Sequence, residues 1–286
     1  MKGPLATVFP PLRRLPWMGK WYAVSRDEAY LLFIILNQLL LGVETTLAHI
    51  SNGTLKPYEC TPILFGPISA FALTAAFVAK RKGKRWGRPV TVAALIGSII
   101  VGLLGTYLHL VRTARPFAPA GTRLTLDTVV WGLPLLAPPA FVLVGILGFV
   151  TLSARPGEQK TRDYILLSSL GVLIAAVSTV IDHLRTGFTN PWLWVPTVVC
   201  LFATVVTLTL ALIKTRSRGE LATYAVAMLM MIVTGPLGSV LHFVHDLGVG
   251  NTIVVERLLR RAPILAPMVL ANYGLMGLLA LMDEEA

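Results

Sequence analysis

Eight stretches of this chain are each long and apolar enough that water is a poor solvent for them. They run near 29–50, 62–79, 90–111, 129–152, 164–185, 195–213, 221–244 and 263–282. A bilayer core about 30 Å thick is crossed by roughly 20 helical residues at about 1.5 Å each. In lipid every backbone N–H and C=O must find a partner inside the structure, which a helix achieves within its own segment. The pattern therefore predicts an all-α integral membrane protein of eight transmembrane helices. Composition agrees, since only 14% of the residues are charged, against roughly a quarter in soluble domains.

The net charge of +11 suits either nucleic acid or membrane topology, and distribution decides between them. The connections at 80–88, 154–163 and 214–220 are short and basic, whereas 51–61, 112–128, 186–194 and 245–262 are longer and rich in Gly, Pro and Asn. Of the 25 Lys and Arg residues, 17 fall on the side of the N-terminus and eight on the other. The positive-inside rule places both termini in the cytoplasm of a multi-pass plasma-membrane protein, with lipid and not nucleic acid as its partner. The segment 1–28 lacks the continuous apolar run of a cleavable signal, so it reads as a cytoplasmic segment. Cys60 and Cys200, one in an outer loop and one inside a helix, read as structural thiols.

Repetition is the next signal. Four outward-going blocks end in LAHIS (47–51), YLHLV (107–111), IDHLR (181–185) and VLHFV (240–244). The spacing from His49 to His109 is 60 and that from His183 to His242 is 59, while the offsets between the pairs are 134 and 133. Pro62, Pro134, Pro196 and Pro263 open the returning blocks, where a missing N–H costs nothing. LPLLAP (133–138) and APILAP (262–267) are nearly one hexapeptide. Two tandem four-helix bundles follow as an expectation, over 29–153 and 164–286, joined by a cytoplasmic linker at 154–163. A repeat of this kind is also compatible with a purely architectural role.

Each of the four histidines follows a charged residue at the cytoplasmic start of its helix (Glu28, Arg88, Asp163, Glu220) by 20 to 22 positions. At about 1.5 Å per residue this is roughly 30 Å of climb, so they form a layer at the non-cytoplasmic edge of the hydrocarbon. A lone histidine there is usually interfacial; four in equivalent positions point to a metal centre, imidazole being the commonest protein metal ligand. Cysteine and carboxylate are too sparse at that depth for structural zinc. Copper favours Met or Cys, and Met228, Met230 and Met231 lie well below His242. Haem b needs one imidazole from each of two facing helices of a bundle. That predicts two sites, His49 with His109 and His183 with His242. Arg112 and Arg185, just beyond two of the histidines, stand where haem propionates reach water. Gly42, Gly102, Gly105, Gly171, Gly235 and Gly238 are compatible with a flat macrocycle near the backbone and equally with helix contacts.

In layout the chain resembles haem A synthase and related di-haem b membrane cytochromes, with eight helices in two four-helix halves and a histidine pair at the outer face of each. The resemblance implies two b-type haems and quinol-linked or partner-linked electron transfer. Haem A synthases carry their histidines at the starts of inward-going helices, with a Glu three positions before the first. Here the histidines end outward-going helices and Glu44 precedes His49 by five, so the likeness concerns the cofactor more than the reaction.

Glu44 and Asp182 are the acidic residues inside the apolar blocks, and an ionisable group there invites a functional reading. Glu44 is a candidate for proton handling beside the cofactor, or for a structural hydrogen bond. His245, one turn beyond His242, corresponds to Arg112 at the offset of 133 and is a candidate propionate or substrate partner. The segment 252–261 reads as an amphipathic surface helix whose Arg257, Arg260 and Arg261 either anchor to headgroups or dock an acidic electron-transfer partner. Two other classes stay open: copper transport or handling through the same histidine layer, and a non-haem metal enzyme gathering Glu44, Asp182 and the histidines. No Walker, GxSxG, HExxH or CxxCH motif occurs, which removes motif support for hydrolase and c-type haem chemistry.

Overall fold

The computed structural model describes residues 24–51, 55–115, 117–247, 253–254, 256 and 263–282. The expected surface helix over 252–261 lies outside the described residues apart from 253, 254 and 256, as do residues 1–23. Among the described residues there is no strand. The helices are α1 (Arg26–Ser51), α2 (Cys60–Arg81), α3 (Gly87–Thr113), α4 (Leu126–Trp131), α5 (Pro139–Leu152), α6 (Gly157–Leu184), α7 (Trp194–Leu212), α8 (Arg218–Leu247) and α9 (Met268–Leu279). Single 3-10 turns, Pro57–Glu59 and Pro191–Leu193, lead into α2 and α7.

Six of these helical stretches are long and apolar enough to cross a membrane, and two apolar helices, α5 and α9, are shorter. This departs from the expectation of eight uninterrupted spans, and proline chemistry supplies the reason. A residue before proline is pushed away from the helical region. LPLLAPP holds Pro134, Pro138 and Pro139, and APILAP holds Pro263 and Pro267. Residues 135–138 and 264–267 form successive turns instead of opening helices, so α5 starts at Pro139 and α9 at Met268. Pro62 and Pro196 do lie in the first turns of α2 and α7, where they are tolerated.

The chain divides into two compact units whose limits cut across helices. The first comprises Met1–Phe33, Leu147–Leu173 and Val198–Ala286. In it Tyr30 and Tyr164 stack with ring centroids 3.9 Å apart. Around them Arg26 Nη1 donates to Thr161 Oγ1 at 2.6 Å, Lys160 pairs with Asp27, and the Tyr164 hydroxyl donates to Asp27 Oδ1 at 2.7 Å. The hydroxyls of Tyr30 and Tyr224 donate to the carbonyls of Met276 and Gly277 at 2.8 and 2.9 Å, satisfying the C-terminal turn of α9, whose last carbonyls have no helical partner. In the same unit α8 meets α9 closely: a Cβ on Gly274 would stand 2.6 Å from the Met228 carbonyl.

The second unit comprises Ile34–Ile146 and Ile174–Thr197. Here α1 and α2 cross where Gly42 and Gly66 allow it, a Cβ on Gly66 falling 2.6 Å from the Gln38 carbonyl. A buried polar chain fixes the third helix against both neighbours. Gln38 Nε2 donates to Ser98 Oγ at 2.7 Å, and Ser98 Oγ donates to the Phe141 carbonyl at 2.8 Å. The outside of both units is apolar, with Ile68, Phe71, Val205 and Val233 all more than 60% exposed, as helices solvated by lipid require. Trp131, Trp192 and Tyr107 are exposed near the ends of their helices, the placement of an interfacial aromatic belt.

Candidate functional site: a histidine pair at the helix ends

The Gln38–Ser98 contact sets the level of the histidines. From Gln38 to His49 and from Ser98 to His109 the chain advances by eleven positions in each case. Eleven positions make about three helical turns, so a histidine on each helix returns to the face that carries the polar contact. The imidazoles of His49 and His109 accordingly face each other with centroids 6.4 Å apart and planes tilted by 58°.

Each ring has one nitrogen committed to a backbone carbonyl. His49 Nδ1 lies 2.8 Å from the Thr45 carbonyl one turn back, and His109 Nδ1 lies 3.0 Å from the Pro134 carbonyl. A carbonyl only accepts, so Nδ1 carries the hydrogen and the lone pair of a neutral ring stays on Nε2. This is the arrangement that orients a metal-binding imidazole. In the first unit His242 Nδ1 lies 3.0 Å from the Pro263 carbonyl, the same relation in the other hairpin. The near-identical hexapeptides therefore supply the carbonyls that hold two of the histidines, a link between two sequence signals that spacing alone did not expose.

Beside the pair sits a charge cluster that the sequence did not single out. Arg112 Nη1 donates to Glu59 Oε1 at 2.8 Å, the Lys56 N–H donates to Glu59 Oε2 at 2.9 Å, and the guanidinium lies 5.6 Å from the centroid of the Tyr58 ring. Glu59 is within electrostatic reach of His49, and His109 of both Arg112 and Glu59. Its only trace in the sequence is a carboxylate directly ahead of an apolar run. Arg185, the other expected propionate partner, donates from Nε to the Val130 carbonyl at 2.6 Å and from Nη2 to the Gly132 carbonyl at 3.4 Å. Both arginines thus have protein partners.

His183 packs edge-on to Phe188 at 5.9 Å, and Phe188 stacks on Trp194 at 4.3 Å. Phe188 has φ 51° directly after Gly187 at φ 63°, a left-handed conformation that is strained for a bulky side chain. His245 is exposed at the end of α8. Glu44 is exposed as well; five positions along a helix turn it about 140° away from His49. Gly42, Gly102, Gly105, Gly235 and Gly238 serve close packing. Built Cβ atoms would stand 2.6 Å from Val142 at Gly102, 3.0 Å from Pro138 at Gly105, 2.8 Å from Ala271 at Gly235 and 2.7 Å from Pro267 at Gly238, so neighbouring helices occupy the space a macrocycle would need there. Among the described residues no group of three or more His, Cys, Asp or Glu could hold a metal ion.

Compared with known proteins, the chain matches no family model, no curated protein and no solved structure.

Proposed function

We propose that this chain is a polytopic membrane protein of eight spans in two duplicated halves, with both termini cytoplasmic. On this reading it carries b-type haem on histidine pairs near the outer face and passes electrons between the quinol pool and an outer partner. The observation that carries the reading is the His49–His109 pair. Metal–imidazole bonds of about 2 Å put the ring centres of an opposed pair roughly 6 Å apart, close to the 6.4 Å found. Both Nδ1 atoms are held by carbonyls, which leaves two Nε2 lone pairs that would hold one haem iron. A bare copper ion is the weaker reading, because no third ligand joins the pair among the described residues and copper(I) prefers sulfur.

Contacts that recur at the repeat offset support the duplication. The 3-10 turns that begin at Pro57 and Pro191 correspond at the offset of 134. The His109–Pro134 and His242–Pro263 contacts correspond at offsets of 133 and 129, and so do Gly102 on Val142 with Gly235 on Ala271, and Gly105 on Pro138 with Gly238 on Pro267. By sequence offset alone, the pair that corresponds to His49 and His109 is His183 and His242.

The test is a dithionite-reduced minus oxidised spectrum of protein purified in detergent from haem-sufficient cells. A b-type difference spectrum is expected, with alanine at His49, His109, His183 or His242 each removing about half of the haem and His245→Ala removing none. A colourless protein with bound copper would overturn the proposal.

A further inference from the structure

Glu44 is a carboxyl group that the fold leaves on its outside. Gln38, Gly42 and His49 share one face of α1, and that face meets α2 and α3. The other side of the helix carries Leu36, Leu40, Val43 and Leu47, all 39–47% exposed, with Glu44 and Ala48 exposed among them. Glu44 lies inside the apolar span Arg26–Ile50 and makes no hydrogen bond or ion pair with any described residue. The end of α1 at Ser51 is seven positions further on, about 10 Å along the axis. Side chains on a helix lean toward its N-terminus, so this carboxyl leans deeper into the span and away from the nearer water.

We propose that a second copy of the chain docks on this side of α1, the two Glu44 carboxyl groups hydrogen-bonding each other across a twofold axis along the membrane normal. An ionised carboxylate facing hydrocarbon without a cation is costly, and the group stays protonated instead. A protonated carboxyl is at once donor and acceptor, so two of them satisfy each other. Copies inserted in the same orientation present Glu44 at the same depth, and an isologous contact requires such a self-complementary patch. A second copy has no cation to offer there. Apart from Arg185, at the last position of its block, the apolar blocks contain no Lys or Arg, and Arg185 is held by the Val130 and Gly132 carbonyls. Ala48, one turn beyond Glu44, lets the backbones approach, and Leu40 and Leu47 pack on either side. The leucines alone give no reason to leave lipid, whose tails are as apolar as they are; the carboxyl group does. The proposal rests on the membrane placement of α1 and not on the haem, since His49 lies on the other side of the helix.

The test is association of the full chain in liposomes, read as energy transfer between donor-labelled and acceptor-labelled copies as lipid is added. Transfer is expected at high protein density and should fall on dilution. Glu44→Gln, whose amide also donates and accepts, should keep the midpoint within about twofold. Glu44→Leu should need about tenfold more protein per lipid. In a Cys60→Ser, Cys200→Ala background, Leu40→Cys, Leu47→Cys and Ala48→Cys should form disulfide-linked dimers under mild oxidation. Phe71→Cys and Leu103→Cys, also exposed but on α2 and α3, should not. Should that background fail to fold, the energy transfer decides on its own. Copies that stay apart at every density, association unmoved by Glu44→Leu, or cross-linking no stronger at position 40 than at 71 overturns the surface, whether lipid or another protein's helix then covers Glu44. Haem is a separate readout: a colourless dimer removes the haem reading and keeps this surface, and haem in a monomer does the reverse.

Discussion

Gly66 illustrates how far single residues can be read. Its type marks a close approach in any membrane helix, but the partner it meets depends on where α1 crosses α2. A Cβ there would stand 2.6 Å from the Gln38 carbonyl and 2.7 Å from Gly42 Cα, and backbone cannot retreat as a flexible side chain can. Gly66→Ala is therefore expected to cost about 2 kcal/mol or more, read as a lower midpoint in thermal unfolding followed by size exclusion. Because the same helix carries the Gln38–Ser98 contact, the variant should also weaken any haem binding at the proposed His49 site. The placement of the histidines near the ends of their helices was legible because position along a helix follows from counting residues. Their hydrogen-bond partners were not, since a carbonyl can come from any residue type, and neither was the pairing of Arg112 with Glu59, which depends on the entry turn into α2.

At the scale of elements, the long apolar helices were fully legible and the short ones were not. Hydropathy counts apolar residues whether or not they are helical, so 133–138 and 263–267 passed as helix although their prolines make them turns. The polar pin between α1 and α3 is a second such detail. Gln38 and Ser98 have Val172 and Met231 at the repeat-equivalent positions, so the pin belongs to one half alone. Ser98→Ala removes the acceptor of the Gln38 amide and the donor to the Phe141 carbonyl. A loss of about 1–2 kcal/mol is expected. The double change Gln38→Val with Ser98→Met, which installs the apolar pair of the other half, should recover part of it. A double change no more stable than Ser98→Ala alone would show that the hydrogen bonds are not what holds these helices in register.

At the scale of the whole molecule, the Tyr30–Tyr164 stack has a property that bears on the proposed duplication. The two tyrosines are related by the offset of 134, and so are Arg26 and Lys160, and Asp27 and Thr161. Arg26 reaches Thr161 while Lys160 reaches Asp27, so residue i of one half meets residue j of the other and the reverse. That reciprocity is what the proposed duplication predicts for contacts between related segments. Its weight in stability is unequal, because only the Lys160 arm joins two charges and Lys160 is just 9% exposed. Asp27→Ala strips the anionic partner from that ammonium, which keeps the Thr151 carbonyl, and the acceptor from the Tyr164 hydroxyl. Removing one member of this partly buried pair should cost about 2 kcal/mol, whereas Thr161→Ala, which removes a neutral acceptor from Arg26, should cost about 1 kcal/mol. Adding Lys160→Met to Asp27→Ala takes away the stranded charge and should restore stability relative to Asp27→Ala alone, a coupling that a double-mutant cycle measures directly. Additive effects would mean that the Asp27–Lys160 pair contributes nothing to holding α1 against α6, and the contact would then rest on the tyrosine stack.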